Sequence, residues 1–167
     1  MAGKRQVVVF KVGEEEFALD IMFTKEIVVM RDITPIPETE EYVEGVMNLR
    51  GSLVPVLDFR KLVRAASAEG HAEARIIVTN LDGNLAGLVV DSVCEVLRVA
   101  EDQVEPAPEI IAEMGAGYVA GVIVLKGRFI TLLDLGKALG EEIVSSLGQV
   151  TMALAKRVGT TAPAQAV

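Results

Sequence analysis

Cysteine, histidine and tryptophan are nearly absent from this chain. Its 167 residues contain one Cys (Cys94), one His (His71) and no Trp. A single cysteine excludes an internal disulfide and fits a reducing cytoplasm. One His and one Cys cannot supply the several ligands of a His/Cys zinc site. A Ser-His-Asp or Cys-His device would have to use His71, which lies in a polar stretch without further catalytic context, so it reads as a surface histidine. Aromatic residues make up 4% of the chain, too few for platforms that stack bases or sugars. Cations are also short, with 16 Lys and Arg against 24 Asp and Glu and a net charge of −8. That balance argues against nucleic acid or an anionic membrane as partner, because no cation excess is left to neutralise phosphate. No apolar run approaches the roughly 18 residues of a membrane-spanning helix. The basic N-terminus leads into Val7-Val8-Val9-Phe10, but Lys11 and Glu14 to Glu16 cut that run too short for a signal peptide.

What is abundant is apolar sequence, at 51% hydrophobic residues. A chain of this length and character can bury roughly 68–70% of its unfolded surface without metals or disulfides. The apolar residues come in short β-rich runs around polar breaks. Gln6 to Val12 and Phe17 to Ile21 flank Gly13 to Glu16. Val46 to Leu49 and Leu53 to Leu57 flank Arg50-Gly51-Ser52. Ile76 to Val78 and Leu85 to Val90 flank Leu81 to Asn84. Val122 to Leu125 and Phe129 to Leu133 flank Lys126-Gly127-Arg128. Each reads as a hairpin, and a succession of hairpins predicts a mainly β sandwich or barrel. Pro55 cannot donate to a ladder, which predicts that its strand is an edge or carries a bulge.

The chain also repeats itself. Tyr42 to Val63 aligns with Tyr118 to Leu139, 76 residues on, with identity at 9 of 22 positions. Upstream, Pro35-Ile36-Pro37-Glu38 matches Pro106-Ala107-Pro108-Glu109, and Asp20 matches Asp91, both 71 residues on. A duplicated unit of about 70 residues predicts two similar small β-barrels side by side, with a groove between them. On this reading residues 14–75 form the first barrel half and 76–140 the second, with 6–13 open to exchange between them. Residues 64–74 form a polar linker. Residues 141–158 form a C-terminal helix, with Ile143, Leu147, Val150, Leu154 and Val158 on one face. Residues 159–167 form a tail.

Residues with chemistry to offer have plain readings. Asp58 and Asp134 hold the same place in the two repeats, each ending a strand before a short helical stretch. Capping of free backbone N–H groups explains them better than paired acid–base catalysis. Cys94 has no CxxC partner and no basic neighbour, and reads as an inert thiol. No GxGxxG or phosphate loop occurs. The acidic run Glu14 to Glu16 reads as a solvated hairpin tip. Arg50 lies between two apolar strands, with Lys126 as its repeat mate. It is either a solvated turn residue or a guanidinium reaching into the inter-barrel region towards a loop or a partner carboxylate.

Several stretches resemble the CheW family of bacterial chemotaxis coupling proteins. They are Phe17-Ala18-Leu19-Asp20-Ile21 with Lys25-Glu26-Ile27; Ile33-Thr34-Pro35-Ile36-Pro37; and the block Val43 to Asp58 containing Asn48-Leu49-Arg50-Gly51. Gly87 to Asp91 and Pro106 to Glu109 complete the resemblance, which spans about residues 5 to 140. It implies two five-stranded SH3-like barrels, no enzyme activity and no cofactor. It implies a scaffold with two partners: the cytoplasmic hairpin tip of methyl-accepting chemoreceptors and the regulatory domain of the histidine kinase CheA. Carried over residue by residue, it implies receptor contacts at Thr24, Glu26, Ile27, Arg50, Gly87 and Leu88. Thr24 stands where the family has a hydrophobic residue. Kinase contacts are implied at Ile33, Pro35 and Gly45, and at Ile110 through the other barrel. Two other readings stay open: coupling in a different kinase pathway, and a small β-barrel enzyme or ligand carrier using the inter-barrel groove.

Overall fold

Among the described residues the strand-rich sequence forms eleven strands. The structure, a computed structural model, describes residues 4–37, 41–62, 73–81, 83–109 and 118–139. In order these hold β1 (Lys4–Val12), β2 (Glu15–Asp20), a 3-10 turn (Ile21–Phe23), β3 (Thr24–Val29), β4 (Val43–Leu49) and β5 (Ser52–Asp58). Then follow α1 (Phe59–Leu62), β6 (Arg75–Leu81), β7 (Asn84–Val90), β8 (Ser92–Ala100), a second 3-10 turn (Glu101–Gln103), β9 (Val104–Pro106), β10 (Val119–Leu125) and β11 (Arg128–Leu133). Residues 135–139 make a further helical turn. The expected helix at 141–158, the tail, most of the linker, His71 and Ile110 lie outside the described residues.

All four expected hairpins form. Two of them turn through a pair of residues with positive φ. These are Arg50 (+51°) with Gly51 (+90°), and Lys126 (+39°) with Gly127 (+82°). Such a two-residue turn matches the twist of its flanking strands. Asn48 Oδ1 steadies the first by accepting from the Gly51 N–H at 2.8 Å.

The strands assemble into two SH3-like barrels. One sheet has the order β8-β1-β2-β11-β10-β9, the other β3-β6-β7-β5-β4. This corrects the expected division at residue 76. The two orders coincide when β1, β2, β8, β10 and β11 are laid on β6, β7, β3, β4 and β5. The opening hairpin of each repeat is therefore built into the sheet of the other repeat, through parallel pairs β2·β11 and β7·β5. Exchange covers both strands of the first hairpin, not residues 6–13 alone, and it is reciprocal. The first sheet has six strands rather than five. Its extra strand, β9, pairs Glu105 with Val122 where the second sheet has only the single bridge Thr34–Val46.

Three cores explain the near-continuous hydrophobic runs, since strands buried on both faces need apolar residues on both. One face of each barrel's strands fills that barrel. Val7, Val9, Ala18, Ile123 and Ile130 pack inside the first, and Met47, Val54, Val56, Ile76 and Val78 inside the second. The other face meets its counterpart between the barrels, where Phe10, Phe17 and Leu19 join Leu57, Phe59, Ile77 and Leu88. At its centre Phe10 and Phe17 stack at 5.8 Å. Phe59 sits edge-on to both, at 5.3 and 5.2 Å between ring centroids.

Pro55 lies beside a bulge in its ladder, since the β4·β5 register shifts between Val43 and Gly45, opposite Leu57 and Val56. β5 is flanked on both sides, not an edge. Val46, directly opposite Pro55, exchanges both its backbone hydrogen bonds with Thr34. Pro55 is thus at a position that makes no ladder bond to β4, and pairing with β7 begins only at Val56. The missing N–H costs the sheet nothing there.

Because Phe59 is fully buried in the aromatic contact and Phe129 is 69% exposed on β11, the two phenylalanines separate cleanly. Phe59→Ala is expected to cost about 3–5 kcal/mol, and Phe129→Ala no more than about 0.5 kcal/mol. Urea unfolding of the two variants measures both.

Candidate docking surface

β3 carries the surface because, at the edge of its sheet, it pairs on one side only, with β6. Its two faces differ. Val28 points into the barrel, against the second interior core, and Glu26 shares that side. Ile27 and Val29 point outward and are exposed. A register shift between Thr24 and Glu26 sets Thr24 opposite Thr79, on the same outer face as Ile27 opposite Ile77. The preceding 3-10 turn adds Met22, 82% exposed. Asp20 holds that turn by accepting from the Met22 N–H at 2.9 Å. An apolar cluster left in water along a strand edge is a feature of docking surfaces.

The cluster runs down into the inter-barrel core as a cross-strand row. Ile27 pairs with Ile77 and Ile77 with Leu88, and exposure falls from 39% at Ile27 to complete burial at the other two. The other barrel holds the equivalent row, Val96, Val8 and Leu19. Val96 is 51% exposed and its neighbours are buried. Sequence reasoning missed Met22 and this second row. The signal available was the repeat, which places β8 on β3.

On the inner side of β3, Glu26 meets Arg50 in a hydrogen-bonded ion pair. The pair joins the β4–β5 turn to the opposite edge of the sheet, at the mouth of the barrel. The hydrogen bond from Arg50 holds the Glu26 carboxyl below the usual glutamate range, and the positive charge of Arg50 adds to it. The first barrel has an equivalent plug. Arg128 donates to Glu16 at 2.6 Å and to Glu95 at 3.1 Å. Glu16 is therefore engaged rather than merely solvated. Exposed pairs of this kind add little to stability, so their main effect is to fix where the side chains stand.

The implied contacts separate in space. Thr24, Glu26, Ile27 and Arg50 come together at one edge. Gly87 and Leu88 do not belong with them. A Cβ on Gly87 would lie 2.7 Å from Ile76 Cγ2, inside the barrel, and Leu88 is sealed in the inter-barrel core. Both pack inside the molecule. Gly45 is likewise a packing residue. With φ at +144°, any Cβ there would run into the Thr34 carbonyl, so glycine lets that segment approach β4. Ile33 packs partly against the interior of the second barrel, and Pro35 is exposed.

The remaining candidates take their plain readings. Asp58 Oδ1 accepts from the Arg60 N–H at 3.0 Å, and Asp134 Oδ1 from the Lys137 N–H at 3.1 Å, so both cap the stretch that follows. Partial desolvation, and then the Glu16 carboxylate, push the Cys94 thiol upward and away from nucleophilic character.

A CheW-like domain model matches residues 6–142. The chain belongs to the CheW-like family. It is 34% identical over 140 residues to the chemotaxis protein CheW of Rhizobium meliloti (strain 1021), covering 84% of this chain and 90% of that one. The CheW of Treponema pallidum (strain Nichols) is 32% identical over 149 residues, covering 87% and 88%. The crystal structure of the scaffolding protein TtCheW from Thermoanaerobacter tengcongensis superposes with a TM-score of 0.75 at 33% identity, covering 84% of this chain and 96% of that one. The family likeness thus spans both barrels. No helix among the described residues is long and apolar enough to cross a membrane.

Two outcomes follow from the edge geometry. The Glu26 carboxyl titrates below ordinary glutamate in the intact protein and returns upward in Arg50→Ala, as read by NMR pH titration. A carboxyl whose folded pKa is lowered contributes stability above its unfolded pKa, so this contribution disappears as pH falls through the folded value. Separately, the Thr24 hydroxyl is buried without a hydrogen-bond partner. Thr24→Val keeps the shape, removes the orphan group and is expected to raise stability by about 1 kcal/mol in urea unfolding.

Proposed function

We propose that the protein is a non-enzymatic scaffold of chemotaxis that couples chemoreceptor tips to the histidine kinase CheA. The exposed apolar edge of β3 in a CheW-like fold is the observation that carries this reading. A coiled-coil receptor tip presents a helix face, and helix-in-groove docking needs apolar anchors beside a polar selector. Ile27 is the anchor, Thr24 lies beside it on the same face, and the Glu26–Arg50 pair is the selector at the barrel mouth. Ile33 and Pro35 offer a separate surface to the regulatory domain of CheA. Ile110 is assigned to a second kinase contact that would extend pairs into rings.

In this role the protein works in the cytoplasm and is recruited to receptor arrays at the membrane. Free energy at the two surfaces is linked, so a change at the receptor tip biases the kinase between its states. Modest interfaces become tight through repetition in an array.

The test is a pair of titrations, one with a cytoplasmic receptor fragment and one with the regulatory domain of CheA. Both are expected to saturate. Ile27→Asp is expected to weaken the receptor arm by about tenfold or more, leaving the kinase arm and the fold intact, because it places a charge where an apolar side chain is desolvated. Binding to neither partner by a folded sample would sink the proposal in favour of another kinase pathway or a groove ligand.

A further inference from the structure

Three methionines lie among the described residues, and the fold treats them unequally. Met47 is 1% exposed, sealed inside the second barrel. Met22 and Met30 are exposed and lie on either side of β3. Met22 is 82% exposed, more than any other large apolar side chain among the described residues. The 3-10 turn that carries it explains why. Phe23, on the same turn, packs against the inter-barrel core. Asp20 accepts from the Met22 N–H at 2.9 Å, which pins the backbone at Met22. With the turn held on its inner side, the Met22 side chain stands in water beside Ile21, itself exposed.

Such a thioether suits a docking edge. It is unbranched and polarisable, so it adapts to the shape of an apolar partner face. It is also open to oxidation. A thiol reacts as its thiolate, whereas a thioether has no proton to lose. The one cysteine competes poorly for an oxidant, because partial desolvation pushes the Cys94 thiol upward. Reactivity of the methionines then follows exposure, and exposure is concentrated beside β3.

We propose that Met22 is a redox modification site: hydrogen peroxide converts its thioether to a sulfoxide, and the sulfoxide releases the partner from the β3 edge. A sulfur lone pair attacks one peroxide oxygen, and the S–O bond forms as the O–O bond breaks. The proton on that oxygen passes to the departing hydroxide, which leaves as water. Sulfur gives up two electrons and the peroxide takes them. The product is polar and chiral. In the free protein it stays in water and disturbs nothing. Under a docked apolar face it is buried without a hydrogen-bond partner. The change is reversible by sulfoxide reductases. There the oxygen leaves as water while two thiols become a disulfide. This regulation rests on the docking role proposed above for the β3 edge.

The experiment treats the full chain, in a Cys94→Ser background, with hydrogen peroxide and then removes the peroxide. Peptide mass mapping follows each methionine, and titration with the cytoplasmic receptor fragment follows docking. Met22 is expected to oxidise first, Met30 more slowly, and Met47 only when urea unfolds the protein. The treated protein is expected to bind the fragment about tenfold more weakly or worse, the scale of burying a polar group without a partner. Its urea midpoint is expected to stay in place, because so exposed a side chain has little internal packing to lose. Treated Met22→Leu is expected to keep its affinity, and sulfoxide reductases with a dithiol are expected to restore binding to the treated parent. Unchanged affinity after full oxidation of Met22 overturns the proposal. So does an equal loss in treated Met22→Leu, which places the sensitive group elsewhere. A loss of affinity that comes with a lowered urea midpoint overturns it as well, since the effect is then on the fold. Failure of the untreated protein to bind the fragment is a separate result. It removes the docking role and the switch with it, whereas binding that ignores the oxidant removes the switch alone.

Discussion

Three phenylalanines from three separate elements meet at the centre of the molecule, and the exchanged architecture depends on their contact. Phe10 and Phe17 belong to the hairpin that the first repeat donates to the first barrel. Phe59 follows β5, in the second barrel. Edge-to-face and offset-stacked rings are each worth about 0.5–1.5 kcal/mol beyond the area they bury. The more important consequence is topological. Because each hairpin is hydrogen-bonded into one sheet while its outer face packs on the other, neither barrel is complete without residues from both halves of the chain.

That arrangement explains where function can sit. The faces inside and between the barrels are consumed by packing, with Gly87 against the barrel interior and Leu88 in the inter-barrel core. What remains for recognition are the sheet edges and the barrel mouths. β3 presents an apolar edge, and its inner side carries the Glu26–Arg50 pair. The corresponding strand of the first barrel, β8, shows the same plan with Val96 and with Glu95 bound to Arg128. Duplication thus provides two versions of one surface. They have diverged in detail: the cation moves two positions, from the turn residue Arg50 to Arg128 beyond the turn, while Lys126 keeps the turn position.

Much of this was legible locally. The hairpins could be read because apolar runs broken by Gly-containing turns have one good solution. The caps at Asp58 and Asp134 could be read because a carboxylate before a helical stretch has an immediate backbone partner. The duplication was visible as direct identity. What stayed hidden involved partners distant in sequence. Nothing local to Arg60 distinguishes a surface arginine from one that grips Asp91. For Pro55 the choice between an edge and a bulge could not be made locally, because the rule for proline concerns hydrogen-bonding geometry. Its neighbour Val46 bonds to Thr34 instead, a fact of pairing and not of composition.

Taken alone, the residues determine the chemistry available: a β-rich, acidic, duplicated chain with one cysteine, one histidine, and turn residues suited to tight hairpins. These follow from local propensity and counting, which do not require knowing what lies across the fold. Only the tertiary structure decides which repeat completes which barrel, and which apolar residues are sealed and which are left at an edge. Each depends on strand order and on side-chain pairs drawn from remote parts of the chain, and an alternating strand pattern reads the same in either barrel.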